Sequence, residues 1–431
     1  MKKIQENFLY YIWMTRQFDY SNLKTIDGQS VVVKNYGSRN PYSGPDFSNA
    51  QIQIGDTLWA GNVEMHILSS DWENHRHQYD DAYNNVILHV VLEHDKDIIF
   101  NNKNKKIDIP TVELRSLIPQ YIFDTYCTFI QSKTWIPCEN ILTSEDINQF
   151  DLFKYSLTTQ RLWLKSEAIT SMLKITNYDW EKTTYILICK YFGGTANKIP
   201  FERLAFNCPL NLVHKNKHQR IAIEALYFGQ AGFLQDELKD EYAQILAKEF
   251  TQLSKKYKLS PMDVSTWKFG GMRPQGLPTF RLAQFIGMIC RITPVFSKIK
   301  AAVHLDELYQ IFQTQVNDYW KHHYTFKKSS GLHQTKLSKS FVDRLIINVV
   351  VPLLFLYGKE TGQEKYVDKC ITLLESIPNE QNAIINQWKR LGFSITSAFD
   401  SQASIHLKKY YCKYTKCMEC KIGHILLSNT S

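Results

Sequence analysis

Residues able to bind metals and move protons crowd into one stretch of this chain, residues 44–91. Asp46 follows Gly44-Pro45, Glu64 and His66 come after seventeen intervening residues as Glu64-Met65-His66, and His75, His77 and His89 follow. Carboxylates hold a hard divalent cation, and a neighbouring imidazole or ammonium can orient or deprotonate water or stabilise charge on a phosphate. Whether they meet depends on the segments that carry them. Residues 47–54 alternate apolar and polar side chains, Gly55-Asp56 reads as a tight turn, and 57–67 reads as a second strand. Side chains alternate faces along a strand, so Glu64 and His66 share one face and Asp46 stands on the adjacent strand. His89 sits in the apolar run 86–91, where it is either a core histidine with a partner or a fourth imidazole facing the same cleft.

The surrounding pattern predicts a helix over 2–16, strands over 30–35, 47–54 and 57–67, a short helix near 79–85, and a strand over 86–92. In the first helix Phe8, Ile12 and Phe18, with Tyr11 and Met14 nearby, form the expected buried side. That order of elements, with PD and ExH on successive strands, resembles the PD-(D/E)xK nuclease core, in which an acid and an acid-x-lysine flank a metal. His66 stands where that pattern has lysine. The resemblance covers the first third of the chain. It implies an α+β domain, a mixed sheet with flanking helices, that hydrolyses phosphodiester bonds in DNA. It also implies Asp46 and Glu64 as ligands of Mg²⁺ or Mn²⁺, Glu6 on the first helix as a third acid, and His66 in the catalytic role. Lys34, His75 and His77 are the alternatives for that role. By itself Glu6 reads equally well as a first-turn glutamate complementing the helix dipole. Over nearly its whole length, the cysteines near its end included, the chain is also similar to a bacterial family known only as a domain of unknown function. Two other readings stay open: a degenerate nuclease fold that binds nucleic acid without cutting, and a zinc hydrolase built on His66, His75, His77 and the nearby acids.

The chain has 431 residues, 44% hydrophobic and 22% charged, with a formal net charge of +9. These values describe a globular protein of two or three domains and weakly favour a polyanionic partner, which the nuclease resemblance implies is nucleic acid, DNA above all. The division expected is 1–144 for the nuclease-like domain and 145–431 for a mainly helical one, starting at Thr143-Ser144-Glu145-Asp146. Candidate phosphate contacts are Arg39, in a loop rich in turn-forming residues, and Arg273 and Arg281, in the glycine- and proline-rich stretch 268–284. No GxxxxGK[ST] sequence occurs, so a P-loop nucleotide site is not expected. The apolar run 345–357, which contains Pro352, is shorter than a membrane span and predicts a buried, kinked helix. No membrane partner and no signal peptide are expected, and nine scattered cysteines fit a reducing cytoplasm.

Within residues 410–424, Cys412, Cys417 and Cys420 follow a C-x4-C-x2-C spacing. Such a compact thiolate group suits zinc or an iron–sulfur cluster. Each needs a fourth ligand, for which the sequence offers His424, Cys138 and Cys127.

Overall fold

The computed structural model describes residues 4–102, 105–216, 218–235 and 238–428. It is a mixed α+β protein: a mixed sheet with helices occupies the N-terminal part, and the rest is mostly helical. The chain forms two compact units. One runs to Phe153 and takes back Gln387–Phe393 and the segment from Ile405; the other comprises Lys154–Asn386 and Ser394–Ser404. The cysteine-rich segment therefore belongs with the sheet, not with the helical domain in which the sequence placed it. Trp388, only 1% exposed, illustrates why the chain returns. Its ring packs against Trp135, Phe150 and Phe393 of the first unit, at 5.1, 6.3 and 4.6 Å between centroids. Burying an indole among aromatic rings removes a large apolar area from water.

The strands of the first unit are β1 (Val31–Asn35), β2 (Ser38–Arg39), β3 (Phe47–Ile54), β4 (Thr57–Leu68), β5 (Val86–Glu93), β6 (Ile99–Asn102), β7 (Lys105–Asp108) and β8 (Thr111–Glu113). The main sheet has the order β1-β3-β4-β5-β8, with β2 beside β3, while β6 and β7 pair separately. Pairing is antiparallel from β1 to β4 and parallel from β4 through β5 to β8. The four strands expected lie within one residue of their predicted bounds. Gly55, at φ +56°, turns β3 into β4 through the two-residue loop Gly55-Asp56. Glycine at the first loop position with positive φ matches the twist of a hairpin. β5 reads as a continuous apolar run because parallel neighbours flank it on both sides and both its faces are covered.

Helix α1 (Glu6–Thr15) packs on β4. Phe8, Tyr11, Ile12 and Phe18 are buried as expected, together with Leu9 and Trp13, but Met14 is 55% exposed. Met14 lies on the opposite side of the helix from Ile12, about 200° round at 100° per residue. The short helix expected near 79–85 is instead helix α2 (Asp71–Asn74) followed by two 3₁₀ turns, His77–Tyr79 and Asp81–Tyr83.

The second unit is built on one large apolar core shared by its helices. Its central helix runs over Lys339–Thr361, is long and apolar enough to cross a membrane, and has 78% of its most apolar window buried inside the protein. Residues Ile346–Val350 form a π-helical turn just before Pro352. Proline has no N–H to offer the carbonyl four residues back, so the ladder widens there. Asn348 donates from Nδ2 to the Arg344 carbonyl at 2.9 Å.

Candidate functional site

Burial along β4 changes abruptly at Gly61: residues 57–60 are exposed, and 63–66 are buried. β5 joins β4 only from Asn62 onward, and α1 packs on β4. Glu64 and His66 thus sit in the covered half, 5% and 1% exposed. The register sets His89 directly beside Glu64 on the neighbouring strand, hence on the same face. Asp46 enters from the start of β3, where the register with β4 slips between Phe47 and Ala50 and Asn49 takes φ +60°. A bulge of this kind bends the strand and re-aims the side chains next to it. Here it brings Asp46 against Glu64: the Asp46 N–H donates to Glu64 Oε2 at 3.0 Å, and the Met65 N–H donates to Asp46 Oδ2 at 3.1 Å.

Helix α1 adds two groups. Tyr10 donates to Glu6 Oε2 at 3.4 Å and is hydrogen-bonded to Asp46, and the Glu6 charge reaches both buried carboxyls. Glu6 and Tyr10 are four residues apart and so share one helix face. The Arg39 guanidinium lies 4.5 Å from the centroid of the Tyr10 ring, next to the acids.

The crossover from β4 to β5 carries the other imidazoles. His75 closes α2, Arg76 takes a left-handed φ of +63°, and His77 opens the next turn. This backbone reversal puts both rings on His66. His66 Nε2 is 3.2 Å from His75 Nδ1, and His66 Nδ1 is 2.8 Å from His89 Nε2. Glu64 Oε1 is 3.5 Å from His66 Nε2 and 3.2 Å from His77 Nε2. The second approach is close but poorly aligned, so His77 Nε2 has no hydrogen-bond partner. His66, His75 and His77 present three ligand nitrogens all within 4.8 Å of one another. Trp72, fully buried, walls this cluster: its ring centroid lies 5.4 Å from that of His77 and 5.3 Å from that of His89. Tyr83 stacks on His77 at 3.8 Å.

The electrostatics of the cluster are those of groups that could hold a cation. Burial, then the charge of Glu64, pushes the Asp46 carboxyl up to about 7. Burial pushes Glu64 up to about 8 against the stabilising Asp46 N–H, and Glu6 raises it further. Burial, then the neighbouring imidazoles, holds His66 at about 2 and His89 at about 3, so both rings are neutral near pH 7. Two carboxylates that resist ionising together and a set of neutral imidazoles are what a dication needs as ligands.

The sequence candidates therefore divide. Asp46, Glu64, His66, His75, His77, Glu6 and Arg39 come together. Lys34 does not: it is exposed on β1, with β3 lying between that strand and β4. At about 4.8 Å per strand spacing the backbone alone is about 10 Å away, and Lys34 sits between the levels of Trp59 and Ala60 rather than at Glu64. In the second unit Arg273 is exposed, whereas Arg281 stacks 4.1 Å over the Phe341 ring and donates to Gln284 Oε1 at 2.9 Å. Burial lowers Arg281 to about 10. Tyr10 and Trp72 are site residues that the sequence did not single out. The i, i+4 spacing of Glu6 and Tyr10 was the one local signal for the first; Trp72 gave none, since its partners come from three elements.

Comparison with curated proteins and with solved structures gave no match. A family described as "Protein of unknown function (DUF2851)" matches over residues 6–383, and the chain belongs to that family.

Proposed function

We propose that the first unit is a divalent-metal-dependent phosphodiesterase that cleaves nucleic acid, with DNA as the leading substrate. The observation that carries this reading is the buried Asp46–Glu64 pair with Glu6 beside it, three acids converging from β3, β4 and α1. Mg²⁺ or Mn²⁺ bound there supplies charge neutralisation and a water of lowered pKa. Asp46, Glu64 and Glu6 hold the ion. Tyr10 steadies Asp46, and Arg39 offers a guanidinium to a phosphate oxygen at the edge of the site. His66 takes a different part from the one expected of it. With 1% exposure and both ring nitrogens near other imidazoles, it positions His75 rather than taking a proton from water. Exposed His75 and half-buried His77 are the groups that can exchange protons with substrate or solvent.

The test is cleavage of single- and double-stranded DNA, and of RNA, with Mn²⁺ or Mg²⁺ by wild type and Asp46→Asn. Asparagine can still accept the Met65 N–H, so the fold survives while the charge is lost. Metal-dependent cutting that disappears in the variant supports the proposal; equal cutting by both sinks it.

The nitrogens of His66, His75 and His77 favour a second reading, a zinc hydrolase for another substrate. Tightly held zinc that leaves with His75→Ala, and no response to added Mg²⁺, would establish that reading in place of the first.

A further inference from the structure

Five of the nine cysteines are buried and four are half-buried, and seven of them fall into two sets that differ in kind. Cys189, Cys208 and Cys370 sit in the helical core and donate to the carbonyls of Phe201, Leu226 and Val351. They behave as small apolar residues with a weak donor. The other four, Cys138, Cys412, Cys417 and Cys420, line one small cavity together with Pro137, Tyr411 and Gly423. They come from two ends of the first unit, 274 residues apart between Cys138 and Cys412.

We infer that Cys138, Cys412, Cys417 and Cys420 form a four-thiolate metal centre, and that this centre sets one wall of the cleft beside the carboxylate site. Several features converge on it. Cys420 starts the C-terminal helix Lys421–Ser428, and its sulfur accepts the N–H groups of Ile422 and Gly423, as a thiolate does. Lys408 donates to the Trp135 carbonyl and lies 4.6 Å from the Trp135 ring centroid, which pins the turn carrying Cys138 and leaves an ammonium near Cys412. A π-helical turn, Leu407–Tyr411, delivers Cys412. The alternative fourth ligands are placed elsewhere. His424 is bonded to the Met418 carbonyl and packs edge-on to Tyr11, and Cys127 lies on the helix Gln120–Gln131, outside the cavity.

The four cysteines line a cavity of about 20 Å³, and a tetrahedral ion with Zn–S bonds of about 2.3 Å and an iron–sulfur cluster both draw on such a set of thiolates. Metal and sulfide content distinguish the two occupants. Between Cys412 and Cys420, residues Tyr414, Thr415, Lys416, Met418 and Glu419 line a cleft of about 460 Å³ with Tyr10, Tyr11 and Arg39. Metal binding fixes that wall. This second part rests on the phosphodiesterase reading; the metal centre does not.

The experiment is metal and acid-labile sulfide analysis of anaerobically purified full-length protein carrying His75→Ala, which silences the histidine cluster. Iron with sulfide and a broad visible band, or else one zinc per chain without sulfide, supports the centre and identifies its occupant. The same metal must fall below about a tenth of its level in Cys138→Ser and persist in Cys127→Ser and His424→Ala. X-ray absorption at that metal's edge must show sulfur neighbours and no nitrogen or oxygen from the protein; this reading needs no cysteine variant to fold. Protein without metal, a shell containing imidazole, or full occupancy in Cys138→Ser overturns the proposal. For the cleft wall, Kd for a single-stranded oligonucleotide, measured by fluorescence anisotropy with Ca²⁺, is expected to weaken roughly tenfold when the cysteine metal is removed. An unchanged Kd overturns that part and leaves the centre standing.

Discussion

The carboxylate–histidine cluster and the cysteine cluster of the first unit are built on opposite principles. The carboxylate–histidine site draws all but Glu6 and Tyr10 from residues 39–89, and a hairpin, a bulge and one crossover bring them together. Its donors are hard or borderline, two of its carboxyls hold protons up to about pH 7 and 8, and part of it meets solvent through His75. The cysteine cluster joins residue 138 to residues 412–420 and uses soft donors, with Cys417 and Cys420 buried and Cys138 and Cys412 half-buried. Burial raises its thiols, Cys138 to about 12, so it stays protonated unless a metal replaces the protons. An open site with exchangeable ions suits turnover, whereas a closed thiolate shell suits structure.

This contrast can be broken by removing one donor from each region. Asp46→Asn is expected to reduce metal-dependent cleavage by about 10²–10³-fold, read by gel assay, while leaving the melting temperature within about 2 °C of wild type. Cys138→Ser is expected to do the reverse in stability, lowering the melting temperature by roughly 10 °C through loss of the bound metal. If the Asp46 variant melts early and the Cys138 variant does not, the two regions have been assigned the wrong way round.

A third test uses pH on the metal-free protein. Folded Asp46 and Glu64 keep protons to about pH 7 and 8, whereas unfolded carboxyls ionise near about 4. The folded state binds the extra protons, so stability falls as pH rises towards about 8. His66 and His89 act in the opposite sense, since their folded values are depressed to about 2 and 3; the stability they carry is lost as pH falls below about 6.5. Between about pH 6.5 and 7.5 the carboxyl effect stands alone, below the range in which unfolded cysteines, near about 8.5, ionise while the buried thiols do not. Urea midpoints across that range should decline in wild type, decline less in Asp46→Asn, and decline little with saturating Mn²⁺. A flat wild-type profile would show that the acids are not coupled as the geometry requires.

Smaller effects sharpen the picture. A methyl group on Gly423 would lie 2.0 Å from the Cys417 carbonyl oxygen. Gly423→Ala should therefore cost about 1–3 kcal/mol in denaturant unfolding and loosen the cysteine loop. Lys34→Ala should leave cleavage within about twofold of wild type, because β3 separates that strand from the acids.

How much was legible in advance follows from the range of each signal. Period-two alternation and the Gly55-Asp56 turn are local, and the strands carrying Asp46, Glu64 and His66 were readable from them. Lys34 misled for a local reason. Alternation predicts which face a residue occupies, but not which strand lies next to it, and β3 proved to be inserted between β1 and β4. The mutual approach of His75 and His77 to His66 depends on a left-handed backbone at Arg76, a non-glycine residue for which sequence gives no warning.

The sequence by itself determined the α+β class, the element order around the acids, and the ligand types on offer, because propensity, periodicity and donor chemistry belong to residues and their near neighbours. Only the tertiary structure decided that His89 backs His66 and that Tyr10 bridges Glu6 and Asp46. It also decided that Cys138, and not His424 or Cys127, completes the cysteine group, and that the chain's last segment belongs with its first domain. Those choices are made by packing between residues tens to hundreds of positions apart, where burial of groups such as Trp72 and Trp388 outweighs any local preference.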